Sequence, residues 1–333
     1  MKAAVLDTSN YTFSIKEVPE PTLSDTDVLV NLKAAALNHH ELWSLQEKNL
    51  QSTSDVILGS DGAGIIVKVG SAIDTTLIGE EVVINPSINW GDNKHVHSTN
   101  YEILGFPTQG TFAEYIRIDA KYIHKKPKHL SFEEAAAFPL AGLTAYRALF
   151  TRGEFELNKT VLITGIGGGA ALLAFRFAIA MGTQVFVTSG DDNKIIKAIE
   201  LGAQGGVNYK KKNWSSDLLK KAGGFDIIID SAAGQGFTDL TELTNPGGNI
   251  VLFGRTMGLI PSLSPKTIFW KQLSIHGTTM GNEEEFKKMV KLIDIKKIQP
   301  VIDSIFPLEK IGSGFDKMES GQQFGKIVIK IGD

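Results

Sequence analysis

Cysteine is absent from all 333 residues. That absence excludes disulfides, iron–sulfur clusters, thiolate zinc sites and cysteine nucleophiles. No apolar run approaches the roughly 18 residues that a membrane-spanning helix needs. The opening Met1–Leu6 runs into strand-like sequence with no signal-peptide pattern, so a cytoplasmic protein without a membrane partner is expected. Neither sign of charge dominates: 34 basic and 37 acidic residues are well mixed and leave a formal net charge of −3. Without a basic stripe, nucleic acid is not an expected partner. Nor does any period of 20–50 residues repeat, which removes solenoids and propellers. What is present, 42% hydrophobic and 21% charged residues, is the composition of a globular chain, and its length exceeds one ordinary domain.

The first 120 or so residues read as short strands separated by turn residues. Examples are Asp27–Lys33, Gly64–Val69, Glu81–Ile84 and Phe112–Ile118, punctuated by Gly70-Ser71, Asn85-Pro86 and Gly110-Thr111. Ser87–Gly110 is long, polar and poor in pattern, yet carries Trp90, Tyr101 and Phe106, which suggests a lobe rather than a linker. From Ser131 the rhythm changes. Ser131-Phe132-Glu133-Glu134 reads as a helix N-cap with acidic residues in the first turn. Thr160–Thr164, Gln184–Thr188, Phe225–Asp230 and Asn249–Phe253 are short apolar runs fit for strands buried on both faces. Helical segments such as Ala170–Met181 alternate with them, so the fold class is α/β with a doubly wound parallel sheet. The tail, Gly325–Ile331, returns to β character, as if re-entering the first domain.

Between the strand at Thr160–Thr164 and the next helix lies Gly165-Ile166-Gly167-Gly168-Gly169-Ala170. Glycines there let the backbone turn sharply and approach a pyrophosphate at the helix N-terminus. A glycine cluster alone is a weak signal; strand before and helix after make it a dinucleotide site. An acidic side chain about 20 residues further on would grip the ribose hydroxyls of NAD. Here that strand end reads Thr188-Ser189-Gly190, followed by Asp191 and Asp192. With Ser189 in the key position no carboxylate repels a 2′-phosphate, and Lys194 could pair with it, which points to NADP(H). The competing reading has Asp191 reaching the ribose of NAD or capping its helix.

These stretches together resemble a medium-chain dehydrogenase/reductase, on the zinc-free quinone oxidoreductase (zeta-crystallin-like) branch. The resemblance rests on Leu58–Gly70, Gly110–Ile118, Ala141–Leu149, Val161–Ala171, Phe225–Gly234 and Gly325–Ile331, and covers nearly the whole chain. It implies a GroES-like β-barrel catalytic domain from residues 1–121 and 282–333. A Rossmann domain from 122–281 would complete the chain, with the active site in the cleft between the two and a homodimer paired through sheet edges such as Leu273–Thr278. Zinc-dependent members hold their catalytic metal at positions that read Asn38, Ser60-Asp61 and Leu140 here, and the structural-zinc lobe corresponds to the cysteine-free Ser87–Gly110. No metal is expected. His39, His40, His95 and His97 could be offered as ligands instead, but His95 and His97 read better as a solvated surface pair.

Without a Lewis acid, the expected chemistry is hydride transfer to a quinone or conjugated carbonyl. By the resemblance, Asn38 would donate a hydrogen bond to the developing oxyanion; its alternative is a turn-capping Asn. Glu41 would orient the cofactor or a neighbouring His, or be a solvated helix residue. Thr144 would meet the nicotinamide side, or be an ordinary helix-interior threonine. Tyr209 would pack near the adenosine phosphate, or be a strand-end aromatic. Gly254 would admit backbone close to the nicotinamide, and Lys326 would face the phosphate region or be merely exposed. Two other classes stay open: a zinc-independent alcohol dehydrogenase-like or enoyl reductase acting on another carbonyl, and a non-catalytic NADPH-binding protein.

Overall fold

The computed structural model describes residues 1–47 and 56–332. The chain divides into two compact units, Met1–Ala141 with Gly281–Asp333, and Gly142–Met280. The first unit opens with β1 (Lys2–Asp7), β2 (Thr12–Glu17), β3 (Asp27–Ala36), helix α1 (His39–Glu47), β4 (Val56–Ile57), β5 (Asp61–Val69) and β6 (Glu81–Ile84). Two short strands, β7 (Ser87–Ile88) and β8 (Glu102–Ile103), pair inside the otherwise irregular lobe. After them come β9 (Tyr115–Asp119), β10 (Ile123–Lys125) and helix α2 (Phe132–Ala136). Ser131 caps α2 in a complete capping box with Glu134, as the sequence indicates.

The second unit begins within α3 (Pro139–Tyr146), twenty residues later than expected. The reason is pairing: β10 hydrogen-bonds to β6, and α2 packs on β3 and β5, so residues 122–141 belong to the first core. The unit then alternates strands and helices: β11 (Thr160–Ile163), α4 (Gly169–Ala180), β12 (Gln184–Ser189), α5 (Asp192–Glu200), β13 (Gly205–Asn208), α6 (Trp214–Ala222), β14 (Phe225–Asp230), α7 (Phe237–Leu243), β15 (Thr244–Leu252), α8 (Pro265–Lys271) and β16 (Ser274–Gly277). All six strands run parallel in the order β13-β12-β11-β14-β15-β16. Val161, Leu162 and Ile163 are wholly buried, which is why β11 is continuously apolar. The chain winds outward from β11 to β13 and then crosses back to β14. That makes the carboxyl end of β11 the switch point where open α/β sheets bind ligands.

The chain re-enters the first unit through α9 (Glu283–Lys296), β17 (Ile302–Pro307), α10 (Ile311–Glu319) and β18 (Lys326–Lys330). Here β18 completes a seven-stranded sheet, β10-β6-β5-β3-β18-β17 with β9 on β3, beside the three-stranded sheet β2-β1-β4. β3 is the spine. Its last residue, Ala36, pairs with Asp61 of β5 on one side and with Val328 of β18 on the other. Small, fully buried Ala34, Ala35 and Ala36 let these strands close in. This register brings Leu37-Asn38, Ser60-Asp61 and Lys326, far apart in sequence, to one place.

Candidate active site

At the end of β3 the buried Asp61 carboxylate acts as a hub. Its Oδ1 accepts from the Leu140 backbone N–H at 2.7 Å. Its Oδ2 accepts from Asn38 Nδ2 at 3.0 Å and from Lys326 Nζ at 2.9 Å. The Lys326 ammonium also donates to Leu37 O at 2.7 Å and Asn38 Oδ1 at 2.5 Å. Its three protons are thereby committed, and Lys326 is only 4% exposed. This corrects the expectation for Lys326: antiparallel pairing of β18 on β3 turns its side chain inward, so it serves an internal carboxylate rather than a phosphate or solvent.

Asn38 also differs from both readings of it. Its second amide hydrogen-bond goes to Ala36 O at 3.4 Å, so both Nδ2 protons are engaged inside the protein and none is left for a substrate oxyanion. The competing ammonium and carboxylate hold the amide. Glu41 is buried, not solvated. Its Oε2 accepts from the Asn38 backbone N–H, and its Oε1 accepts from Ser60 N and Ser60 Oγ, both at 3.0 Å. The reach from the third residue of α1 back to Asn38 is half of a capping box. Burial pushes the Glu41 carboxyl up to about 7; Lys326 opposes the rise and Asp61 adds to it.

His39 and His40 open α1, half-buried. His39 is held below the usual histidine range by burial and then by Lys326, and its ring tilts against Trp43 at 6.1 Å. His40 is pushed down to about 4 by burial, with Asp61 opposing. In the irregular lobe, Trp90, His97 and Tyr101 pack on one another, with His97 stacked on Tyr101 at 4.6 Å. His95 and His97 are exposed, as expected of a surface pair.

In the second unit the glycine turn follows β11 directly. Gly165 and Gly167 have φ of +62° and +133°, a backbone that side chains resist. Gly168 precedes α4 with no side-chain cap, and a Cβ built on it would meet nothing nearer than Gly165 O at 3.9 Å. Gly169 and Ala170 form the first turn of α4. An uncapped helix start in open space is what a pyrophosphate requires. The turn is braced by Asp230, at the end of β14, which accepts from Thr164 Oγ1 at 2.5 Å and Ala233 N at 2.8 Å. Burial raises the Asp230 carboxyl. Sequence reasoning saw its strand but not this role, for which a buried acid ending an apolar strand was the available signal.

A Cβ on Gly254 would fall 2.1 Å from the Ser231 carbonyl oxygen, so this glycine is required by the approach of two strand ends. Thr144 is buried in α3. Ser189 ends β12, and its Oγ accepts from the Asp191 backbone N–H at 3.1 Å. Asp191 in turn accepts from Asn193 N at 2.8 Å as N-cap of α5, the capping half of its competing reading. Tyr209 N donates to Ser189 O at 3.1 Å. A Cβ on Gly190 would lie 2.8 Å from both Tyr209 Oη and Lys210 Cε, so these two side chains fold over the end of β12. Lys194 sits half-buried in the first turn of α5. Lys210 was missed, although the run Lys210-Lys211-Lys212 signalled it; Lys211 is committed to Asp192 at 2.9 Å.

Two family models match: the alcohol dehydrogenase GroES-like domain over residues 24–128 and the zinc-binding dehydrogenase over 169–294. The chain is 34% identical to the zinc-type alcohol dehydrogenase-like protein YogA of Leptosphaeria maculans, over 96% of this chain and 95% of that one. It is 32% identical to the 2-methylene-furan-3-one reductase of Solanum lycopersicum, covering 94% of this chain and 74% of that protein. Among solved structures, an NAD-dependent alcohol dehydrogenase superposes with a TM-score of 0.92 at 32% identity, with 100% of both chains covered.

Zinc, which these names bring in, does not fit the residues present. At the corresponding positions stand an amide, a serine, a carboxylate already paired with an ammonium, and Leu140, which offers only a backbone N–H. A dication would have to displace Lys326 from Asp61. Among the described residues no group of three or more His, Cys, Asp or Glu could hold a metal ion. The nicotinamide dinucleotide does fit, through the glycine turn and the uncapped start of α4. Sequence relatives, fold and nucleotide site thus agree, and the chain belongs to the medium-chain dehydrogenase/reductase superfamily as an NAD(P)H-dependent oxidoreductase.

Proposed function

We propose that the protein uses NADPH to reduce quinones or α,β-unsaturated carbonyl compounds without a metal ion. One observation carries this reading: Lys326 Nζ lies 2.9 Å from the carboxylate of Asp61, the residue that the resemblance sets at a metal-binding position of zinc-dependent members. Lacking a Lewis acid to acidify an alcohol, the site is suited to acceptors that delocalise incoming charge themselves. A 2-methylene-furan-3-one, named for the tomato relative, is such an acceptor, a ketone conjugated to a carbon–carbon double bond.

When bound, the dihydronicotinamide supplies the hydride. Gly165, Gly167, Gly168, Gly169 and Ala170 would hold its pyrophosphate, with Thr144 on the nicotinamide side. Ser189, Lys194 and Tyr209 would surround the adenosine end. NADPH is favoured because Ser189 brings no carboxylate to the strand end, and because Asp191 is engaged as the N-cap of its own helix. The protein would act in the cytoplasm as a homodimer paired through β16, which is an edge strand.

A second reading, NAD-dependent alcohol oxidation, is favoured by the name of the solved structure at TM-score 0.92. Steady-state assays of NADPH and NADH against a quinone, an enone and a primary alcohol, with and without a zinc chelator, separate the two. The expected result is chelator-insensitive oxidation of NADPH by quinone or enone. Alcohol oxidation with NAD, lost on chelation, overturns the proposal.

A further inference from the structure

The switch point of the parallel sheet lies between β11 and β14, which pair with Ile163 beside Ile229. Just beyond these strands stand Gly165 on one side and Ser231 on the other. The backbone of Ser231 is held firmly. Its N–H donates to Thr164 Oγ1 at 3.3 Å, and the Thr164 hydroxyl proton goes to Asp230. Its carbonyl accepts from Thr256 Oγ1 at 3.4 Å, and a Cβ on Gly254 would fall 2.1 Å from that oxygen. The residues that follow are fixed as well: Ala232 O accepts from Met257 N at 2.8 Å, and Ala233 N donates to Asp230. Ala233 has a φ of +58°, a strained backbone that these bonds must hold in place. The Ser231 side chain is different. Its Oγ makes no hydrogen bond among the described residues, is half-buried, and points toward the glycine turn, where a Cβ built on Gly165 would lie 2.9 Å from it. Glycine at 165 thus does more than permit the turn, because any side chain there would cover this hydroxyl.

We propose that Ser231 is a cofactor-binding residue whose hydroxyl hydrogen-bonds to the ribose that carries the nicotinamide. The assignment rests on the cofactor placement proposed above, but not on the choice of NADPH over NADH. The order of the strands gives the direction. β12 lies on one side of β11, and its end takes the adenosine half near Ser189. The pyrophosphate uses the bare N–H groups of the glycine turn and of the start of α4. β14 lies on the other side of β11, so the nicotinamide half of an extended dinucleotide comes to the end of β14. The chemistry agrees. A ribose diol both donates and accepts, as a serine hydroxyl does, whereas a pyrophosphate only accepts. Because the backbone of residues 231–233 is already fixed, little ordering is needed when the contact forms.

Calorimetric titration of the full-length protein tests this with two nucleotides, NADPH and 2′-phospho-ADP, the second of which ends at the diphosphate and has no second ribose. Ser231→Ala is expected to weaken NADPH binding about three- to tenfold, the usual worth of one hydrogen bond, and to leave 2′-phospho-ADP binding within about twofold. The shorter nucleotide also serves as the control for folding, since a distorted glycine turn would weaken both. Ser231→Thr, which keeps the hydroxyl, is expected to bind NADPH within about twofold of the parent. Equal losses for the two nucleotides in Ser231→Ala would put the contact at the pyrophosphate and overturn the assignment. Unchanged NADPH affinity in Ser231→Ala overturns it too, as does equal loss in Ser231→Ala and Ser231→Thr. If the parent prefers NADH, the NADPH reading fails on its own, and the same titrations with NADH and ADP decide Ser231. A parent that binds neither dinucleotide overturns both.

Discussion

At the end of β3, Asn38, Glu41, Ser60, Asp61 and Lys326 answer one another so fully that no amide or ammonium proton in the group is left over. At the end of β11 the arrangement is the reverse: glycines remove side chains, α4 starts without a cap, and the space above Gly168 is open. One site is closed around its own charges and the other is left open for a ligand's. The difference follows from what each must do. A pyrophosphate brings its own negative charge and needs bare N–H groups, whereas a buried Lys–Asp pair must satisfy itself or lose stability. In zinc-dependent relatives the segments carrying residues 38, 60–61 and 140 would converge on a cation. Here they converge on the Asp61 anion, with Lys326 as counter-ion.

The largest expected effect comes from breaking that closure. Lys326→Met leaves Asp61, wholly buried, without its counter-charge, and should cost about 3–5 kcal/mol of stability by urea unfolding. The double change Asp61→Asn with Lys326→Met should recover much of the loss, since both charges then leave together. If Lys326→Met unfolds at the parent's urea midpoint, the cluster is not the closed unit described.

A smaller effect distinguishes the titrating groups of the cluster. Glu41 has its folded value raised to about 7, above the 4.5 usual for a glutamate, so folding favours its protonated form. Its contribution is present at low pH and is lost as pH rises from about 4.5 to 7. His40 is opposite in sign. Its folded value is depressed from 6.5 to about 4, so folding favours the neutral ring, and its contribution is lost as pH falls through that window. The two partly cancel between about pH 4.5 and 6.5, on a background set by His39, whose value is also lowered. Glu41→Gln should therefore make stability rise more steeply with pH across this window, and His40→Gln should make it rise less or fall. Each slope changes by about 1 kcal/mol per pH unit at most, read from urea midpoints at a series of pH values. Identical slopes in parent and variants would mean that neither group is perturbed by burial.

Much of this was legible in the sequence. The glycine turn, the alternating parallel strands and the return of Gly325–Ile331 to the first domain follow from local pattern, and each appears where expected. The α/β class and both domain types were likewise readable. The closed cluster was not. Lys326 looks like any strand-start lysine until the pairing of β18 with β3 places it against Leu37 and Asn38, 288 residues away. Asn38 reads as an open donor for the same reason, because only the tertiary register supplies the groups that capture its amide. The domain boundary moved because β10, three residues long, carries almost no periodic signal, and its pairing with β6 decides where residues 122–141 belong.

The smallest effect tests whether the nucleotide site also commits a charge internally. Asp191 stands just beyond the end of β12, where a carboxylate is close enough in sequence to be read as a ribose ligand. In the structure its Oδ1 accepts from Asn193 N, and the exposed pair Asp192–Lys211 lies one residue further on. If capping is its whole role, Asp191→Ala should cost about 1 kcal/mol of stability, the usual price of an N-cap, and leave the affinities for NADPH and NADH equally unaffected. Asp191→Asn, which keeps the acceptor oxygen without the charge, should restore the stability. A selective loss of NADH affinity in both variants would instead assign the carboxylate to a ribose. It would also move the end of β12 from the open kind of site toward one that reads its ligand with a charge of its own.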